Sequence, residues 1–135
     1  MTPIGTSGEA PLRSDHDIVL ARQLVRRITQ ELKFSLVDQT KMVTAASELA
    51  RNALIYGKGG AMHWEVLQVE ARTGLKLLFA DEGPGIPNLD LAMTDGWTSG
   101  KGLGMGLTGA KRLVNEFEID SKVNGGTRVM ITRWK

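Results

Sequence analysis

Three separated stretches carry residue types that could do chemistry together: Ser47-Glu48-Leu49-Ala50-Arg51-Asn52, Asp81-Glu82-Gly83-Pro84-Gly85-Ile86-Pro87 and Gly100-Lys101-Gly102-Leu103-Gly104-Met105-Gly106-Leu107. In the middle one a carboxylate closes an apolar run (Leu75, Leu77, Leu78, Phe79, Ala80) and Gly-x-Gly follows. A strand should therefore end by presenting Asp81 beside main chain with almost no side-chain cover. A carboxylate accepts hydrogen bonds from the amino group of a neutral base, and glycine amides approach phosphate closely because no side chain intervenes. Adenine joined to phosphates meets both demands.

Glu48 and Asn52 lie four apart, so on a helix they share a face and can both point into one site. The amide oxygen of Asn52 is a hard neutral donor suited to Mg²⁺, which keeps several waters and takes the rest of its shell from phosphate oxygens. Glu48, one turn back, could accept or orient the proton of an attacking hydroxyl. Taken singly, each feature has a plainer reading: two exposed polar residues on an amphipathic helix, a turn after a strand, a flexible linker. Together they stand in an order that could enclose one nucleotide, and linkers rarely interleave Leu103, Met105 and Leu107 with glycine.

The elements that must position these groups follow from periodicity. Between Asp15 and Lys33, the apolar residues Ile18, Ala21, Leu24, Val25, Ile28 and Leu32 line one side of a helix, with Ser14 and Asp17 as a capping box. A second helix should start after Ser35, with Asp38 reaching back, and run to about Tyr56, where Gly57-Lys58-Gly59-Gly60 ends it. Strands are expected over Met62 to Ala71 and Gly74 to Asp81, joined by a turn at Arg72-Thr73-Gly74. From Gly83 to about Leu107 the prolines and glycines forbid regular structure throughout, apart from one helical turn over Leu89 to Met93. The expectation there is a mobile lid. Helix periodicity resumes at Leu107, Ala110, Leu113, Val114 and Phe117, so free amides at that helix start would face an anion. Two last strands, about Glu118 to Val123 and Thr127 to Trp134, flank Asn124-Gly125-Gly126. The implied architecture is α+β, a two-layer sandwich with a mixed, mostly antiparallel sheet and its helices on one face.

With 135 residues the chain reads as one domain, residues 14–135, behind a flexible leader over 1–13 that is rich in small and turn-forming types. Cysteine is absent, which removes disulfides and thiolate metal sites. The opening residues have no apolar core of a signal peptide, and no stretch approaches the roughly 20 apolar residues of a membrane span. A cytoplasmic location with no membrane partner is the expectation. Net charge is +2 with a pI near 9.1 and interspersed signs, which gives no argument for nucleic acid. Arg22, Arg26 and Arg27 read as a solvated helix face. His16 and His63 are isolated and do not suggest a metal site.

Glu-x-x-x-Asn, Asp-x-Gly-x-Gly and Gly-x-Gly-x-Gly in this order, with Gly126-Thr127 closing the set, resemble the N, G1 and G2 boxes of the GHKL ATP-binding superfamily and its Bergerat fold. That superfamily includes histidine kinases, gyrase, Hsp90 and MutL. From about Asp15 onward the chain is similar to the RsbT-type serine/threonine switch kinases of bacterial stress signalling, through the three stretches quoted above. The resemblance implies that Asp81 binds the adenine amino group with Thr127 helping through a water, and that Gly83 and Gly85 let the base lie close. It implies Asn52 as the Mg²⁺ holder and Glu48 as the base. Lys101 and the main chain of Gly102, Leu103, Gly104, Met105 and Gly106 would wrap the phosphates. The family's members phosphorylate a serine or threonine of small STAS-domain proteins in partner-switching, stressosome-like modules, and then act on a further effector, typically a phosphatase.

Two positions depart from the histidine-kinase pattern. Ser47 stands where many have His before the box glutamate, and Ile55 where many have Lys after the asparagine. A phosphate contact is thereby lost, and Lys101, Arg51 or Lys58 is the candidate to replace it. No phosphoacceptor-helix segment precedes the domain, which disfavours an intact two-component sensor, and the chain is too short for a gyrase-type or Hsp90-type ATPase. Trp64, Trp97 and Trp134 are expected to cover apolar surface, Trp97 from within the lid. Two rival readings share the pocket: a nucleotide-gated binding protein resembling an anti-sigma factor, and simple ATP hydrolysis.

Overall fold

A computed structural model describes residues 6–85 and 103–135, the side chains of 103–106 excepted. The expected helical turn over Leu89 to Met93, the lid with Trp97, and the phosphate contacts of Lys101 and Gly102 lie outside the described residues. Among those described, five strands form one sheet in the order β1 (Ser7–Leu12), β2 (Gly60–Val69), β3 (Arg72–Asp81), β5 (Gly126–Trp134), β4 (Glu116–Lys122), every pairing antiparallel. The α+β expectation holds.

Helix α1 (Asp15–Glu31) starts because Ser14 is extended and its Oγ accepts from the Asp17 amide at 3.1 Å, while Asp17 accepts from the Arg13 amide at 2.9 Å. Lys33, at φ 63°, turns the chain out of it. Helix α2 (Leu36–Ile55) starts on Ser35, whose Oγ accepts from the Asp38 amide at 3.1 Å. The Asp38 carboxylate also holds Arg133 Nη2 of β5 at 2.6 Å, which ties the helix start to the sheet. Met42, Leu49 and four alanines (Ala45, Ala46, Ala50, Ala53) form the buried side of α2. Their small volumes let α2 sit between α1, the sheet and α3 (Leu103–Arg112).

Strand register aligns the core face. Met62 pairs with Phe79 and Trp64 with Leu77, while Val129 and Ile131 stand opposite Phe79 and Leu77 from the other side. All six are buried under the helices. The other sheet face carries a shallower cluster, with Arg72 stacked 4.5 Å from the Trp134 ring and Trp134 Nε1 donating to Glu116 at 2.6 Å.

Several expectations need correction. Residues 7–12 are not a loose leader but the edge strand β1, and Leu12 is fully buried. Local composition favours turns there, whereas the open main chain of β2 supplies the pairing that composition cannot advertise. The β2–β3 turn is Glu70-Ala71, not Arg72-Thr73-Gly74, because Val69 already pairs with Arg72. Glu70 takes φ 55°, and Gln68 braces the turn by donating to its carbonyl at 3.2 Å. Helix α3 begins at Leu103, inside the glycine run, and stops at Arg112. Phe117 belongs to β4, since the Asn115 amide donates to Thr132 at 3.0 Å and starts the strand early.

Candidate functional site

Strand β3 delivers Asp81 to the edge of the core, and three chain segments close on it. The amide of Gly83 donates to Oδ1 at 2.9 Å and that of Thr127, at the start of β5, donates to the same oxygen at 3.2 Å. Oδ2 has no protein donor among the described residues. Burial pushes the Asp81 carboxyl up from the ordinary carboxylate range, against the downward pull of the two amides.

Glycine makes the crowding possible. A Cβ on Gly57 would overlap the Asp81 carboxyl, and one on Gly83 would lie 2.6 Å from the Gly57 Cα. Gly57 is placed by Asn52, whose carbonyl accepts from the amides of Tyr56 and Gly57 at 2.9 and 3.1 Å where α2 ends. The segment after Asp81 is clasped by the β4–β5 turn, since the Asn124 amide donates to the Pro84 carbonyl at 2.8 Å. Gly85, at φ 79°, lies so close to the Lys122 carbonyl that a side chain there would collide with it.

Asn52, Asp81, Gly85 and Thr127 line one cavity whose apolar wall includes Leu49, Phe79, Leu107 and Val129. Apolar surface with a few aimed polar groups suits a flat heteroaromatic ring. Asn52 Nδ2 is buried in it without a hydrogen-bond partner, and a carboxamide left unsatisfied in a protein interior implies a ligand that satisfies it. Glu48 stands one turn before Asn52, exposed, and is not among the residues of that wall. Gly83 acts through its amide behind the wall. Leu103, Gly104, Met105 and Gly106 form the first turn of α3, whose amides have no partner within the helix. Of the suggested substitutes for the missing lysine, Arg51 and Lys58 are exposed and outside the cavity wall, and Lys101 lies outside the described residues.

Sequence reasoning took Gly57 only as a helix stop and missed Tyr56 and Ser121. Tyr56 lines the cavity, and its place one turn after Asn52 was a readable signal. Ser121 lies behind Thr127 and is found only through strand register.

Residues 37–135 match the family described as Histidine kinase-, DNA gyrase B-, and HSP90-like ATPase. The match covers most of the chain, including Asn52, Asp81 and Thr127 of the cavity, and the chain belongs to this ATPase family. Within it the chain is of the RsbT type. It is 42% identical over 123 residues to the serine/threonine-protein kinase RsbT of Bacillus subtilis (strain 168), covering 91% of this chain and 92% of that protein. It is also 33% identical over 119 residues to an anti-sigma F factor of Clostridium kluyveri, covering 84% and 82% of the two. The fold matches the RsbU and RsbW domains of a Mycobacterium tuberculosis protein with a TM-score of 0.63 at 19% identity, over 99% of this chain and 33% of that one. It also matches the mycobacterial sensor histidine kinase MprB with a TM-score of 0.57 at 19% identity, over 94% and 96%. Among the described residues no helix is long and apolar enough to cross a membrane.

Proposed function

We propose that this protein transfers the γ-phosphoryl group of ATP to a serine or threonine of a small STAS-domain partner, within a bacterial partner-switching module. The observation that carries the reading is the convergence of Asp81, Thr127 and Asn52 on one partly apolar cavity beside the start of α3. Adenine enters with its amino group toward Asp81 Oδ2, and the phosphates run toward the free amides of residues 103–106. Asn52 faces the cavity, and its side-chain oxygen is a hard neutral donor of the kind Mg²⁺ takes. Its buried Nδ2, which lacks a partner, suits an acceptor such as a phosphate oxygen. When bound, the ion neutralises charge on the phosphate oxygens.

Glu48 acts at the mouth of the site. Its exposure leaves it open to a hydroxyl brought by another protein. The acceptor oxygen forms a bond to the γ-phosphorus as the bond from that phosphorus to the bridging oxygen breaks. The acceptor's proton passes to the Glu48 carboxylate, and ADP leaves. Positioning and charge neutralisation supply most of such a rate enhancement. Downstream, the reading places an effector such as a phosphatase, released or engaged according to the partner's phosphorylation.

The test is incubation with labelled ATP, Mg²⁺ and STAS-domain proteins encoded nearby. Transfer to a serine or threonine is expected, and Glu48→Gln should abolish it while nucleotide affinity stays within about twofold. A second reading, a nucleotide-gated binding protein, is favoured by the position of Glu48 outside the cavity wall and by similarity to an anti-sigma F factor. No labelled acceptor with ATP binding intact would select that second reading.

A further inference from the structure

Four exposed residues of α2, Thr44, Glu48, Arg51 and Ile55, follow one another at spacings of four, three and four. That spacing sets them in one stripe along the helix. Asn52 stands about 100° round the helix from Arg51 and turns to the cavity, so the stripe looks outward past the mouth of the site. Arg51 follows Glu48 by three positions, a spacing at which a helix allows an ion pair, and Arg27 does hold Glu31 on α1 at 3.6 Å. Among the described residues Arg51 nevertheless forms no ion pair. One turn further on, Ile55 leaves 51% of its apolar surface in water.

We infer that this stripe is the track on which the acceptor segment of the partner protein lies, with Arg51 pairing an acidic residue beside the acceptor serine or threonine and Ile55 taking an apolar side chain further along. The inference rests on the reading of Glu48 as the base that receives the acceptor's proton. Arg51 lies outside the cavity wall, so its carboxylate arrives with the acceptor and not with the nucleotide. A guanidinium fork matches a carboxylate with two parallel hydrogen bonds. Along the helix Arg51 starts about 4.5 Å and Ile55 about 10.5 Å beyond Glu48. An extended chain covers about 3.3 Å per residue, which puts the acid about one or two positions from the acceptor and the apolar residue about three. The other exposed apolar residues of α2, Leu36 and Val37, stand about 16–18 Å from Glu48, beyond that reach.

The experiment is steady-state transfer of label from ATP, with Mg²⁺, to a STAS-domain protein encoded nearby, reading kcat and the acceptor's KM separately. Arg51→Glu should raise that KM at least about tenfold, the worth of one charged hydrogen bond, while ATP affinity stays within about twofold of the parent. Arg51→Lys should recover part of the loss, since the charge remains and the fork does not. Lysine in place of the acid beside the acceptor should impair transfer by the parent and rescue Arg51→Glu, which a merely structural arginine would not reproduce. Ile55→Ser should raise the KM about three- to tenfold, whereas Val69→Ser, similarly exposed at the far end of β2, should leave it unmoved. A parent-like acceptor KM in Arg51→Glu, or an acceptor with no acid within two positions of the phosphorylated residue, overturns the inference while transfer itself stands. If Arg51→Glu melts early, a parent-like KM in Arg51→Gln overturns it instead. Absence of transfer by the parent with ATP bound overturns the kinase reading and this inference with it.

Discussion

Thr127 and Asp81, 46 positions apart, are joined by a hydrogen bond from the main-chain N–H of Thr127 to Asp81 Oδ1 at 3.2 Å. Because Gly83 donates to the same oxygen, the carboxylate is fixed with one oxygen held and the other offered. Asp81→Asn should keep the two amide contacts on its carbonyl oxygen while presenting NH₂ where an acceptor is needed. A hydrogen bond to a charged group contributes about 1.5–3 kcal/mol, so ATP affinity should drop roughly tenfold to a hundredfold with the fold intact. Calorimetry beside a thermal melt checks both halves, and undiminished ATP uptake would remove Asp81 from the site.

Burial sets the acid limit of that site. The folded Asp81 carboxyl protonates above the ordinary value of 3.8, so the folded state holds its proton where the unfolded chain has already released it. Its contribution to stability is therefore greatest below the unfolded value and declines as pH rises through the raised folded one. Nucleotide affinity should run the other way, weakening on acidification through the raised value as Oδ2 loses its accepting role. A pH series of ATP titrations reads this, and the Asp81→Asn protein should lack that transition.

Gly57→Ala isolates a steric effect, because Gly57 has no left-handed φ and its backbone accepts alanine. The new Cβ would overlap the Asp81 carboxyl, so at least tenfold weaker ATP binding and about 1–3 kcal/mol of lost stability are expected. Gly109→Ala is the control: a Cβ there meets nothing within 4 Å, and α3 should gain about 0.5–1 kcal/mol without any change in binding. Equal binding by both variants would contradict the crowding described around Asp81.

The Asp38–Arg133 contact at 2.6 Å links the start of α2 to β5, and Arg133 Nη1 also donates to the Leu113 carbonyl at 2.9 Å. The Arg133 guanidinium beside it holds the Asp38 carboxyl below its ordinary 3.8. The resulting stability is present above the unfolded value and is lost as pH falls through the lowered folded one. Asp38→Asn should cost about 1.5–3 kcal/mol near neutral pH, measured by urea unfolding, and the difference from the parent should shrink in strong acid.

Leu12→Ala tests whether β1 belongs to the folded unit. A fully buried leucine at the end of an edge strand should cost about 2–5 kcal/mol when truncated. A loss below about 0.5 kcal/mol in urea unfolding would mean that the strand is dispensable.

What the sequence disclosed depended on distance along the chain. Ser14 and Ser35 announced their helices because a cap acts on amides three residues away, and the Asn124-Gly125 turn declared itself through residues that tolerate left-handed backbone. Strand β1 was hidden because its pairing partner lies some fifty residues further on, and nothing in Ser7–Leu12 itself favours a strand. The start of α3 was misplaced because glycines at 104 and 106 read as coil, whereas helix packing on α2 outweighs their propensity. Asp81, Asn52 and Thr127 were legible from motif spacing. Gly57 was not, since its need to be glycine arises only from Asp81 standing against it.

The sheet order has a consequence for how the protein matures. β3 pairs with β2 through a two-residue turn, but with β5 only after the chain has travelled from Ala80 to Arg128. Closing so large a loop is slow compared with hairpin formation. A partly folded chain could thus expose the carboxylate of Asp81 long before the Thr127 amide arrives to steady it. Nucleotide would then be captured only by molecules that have completed their final hairpin, so ligand uptake doubles as a certificate of finished folding.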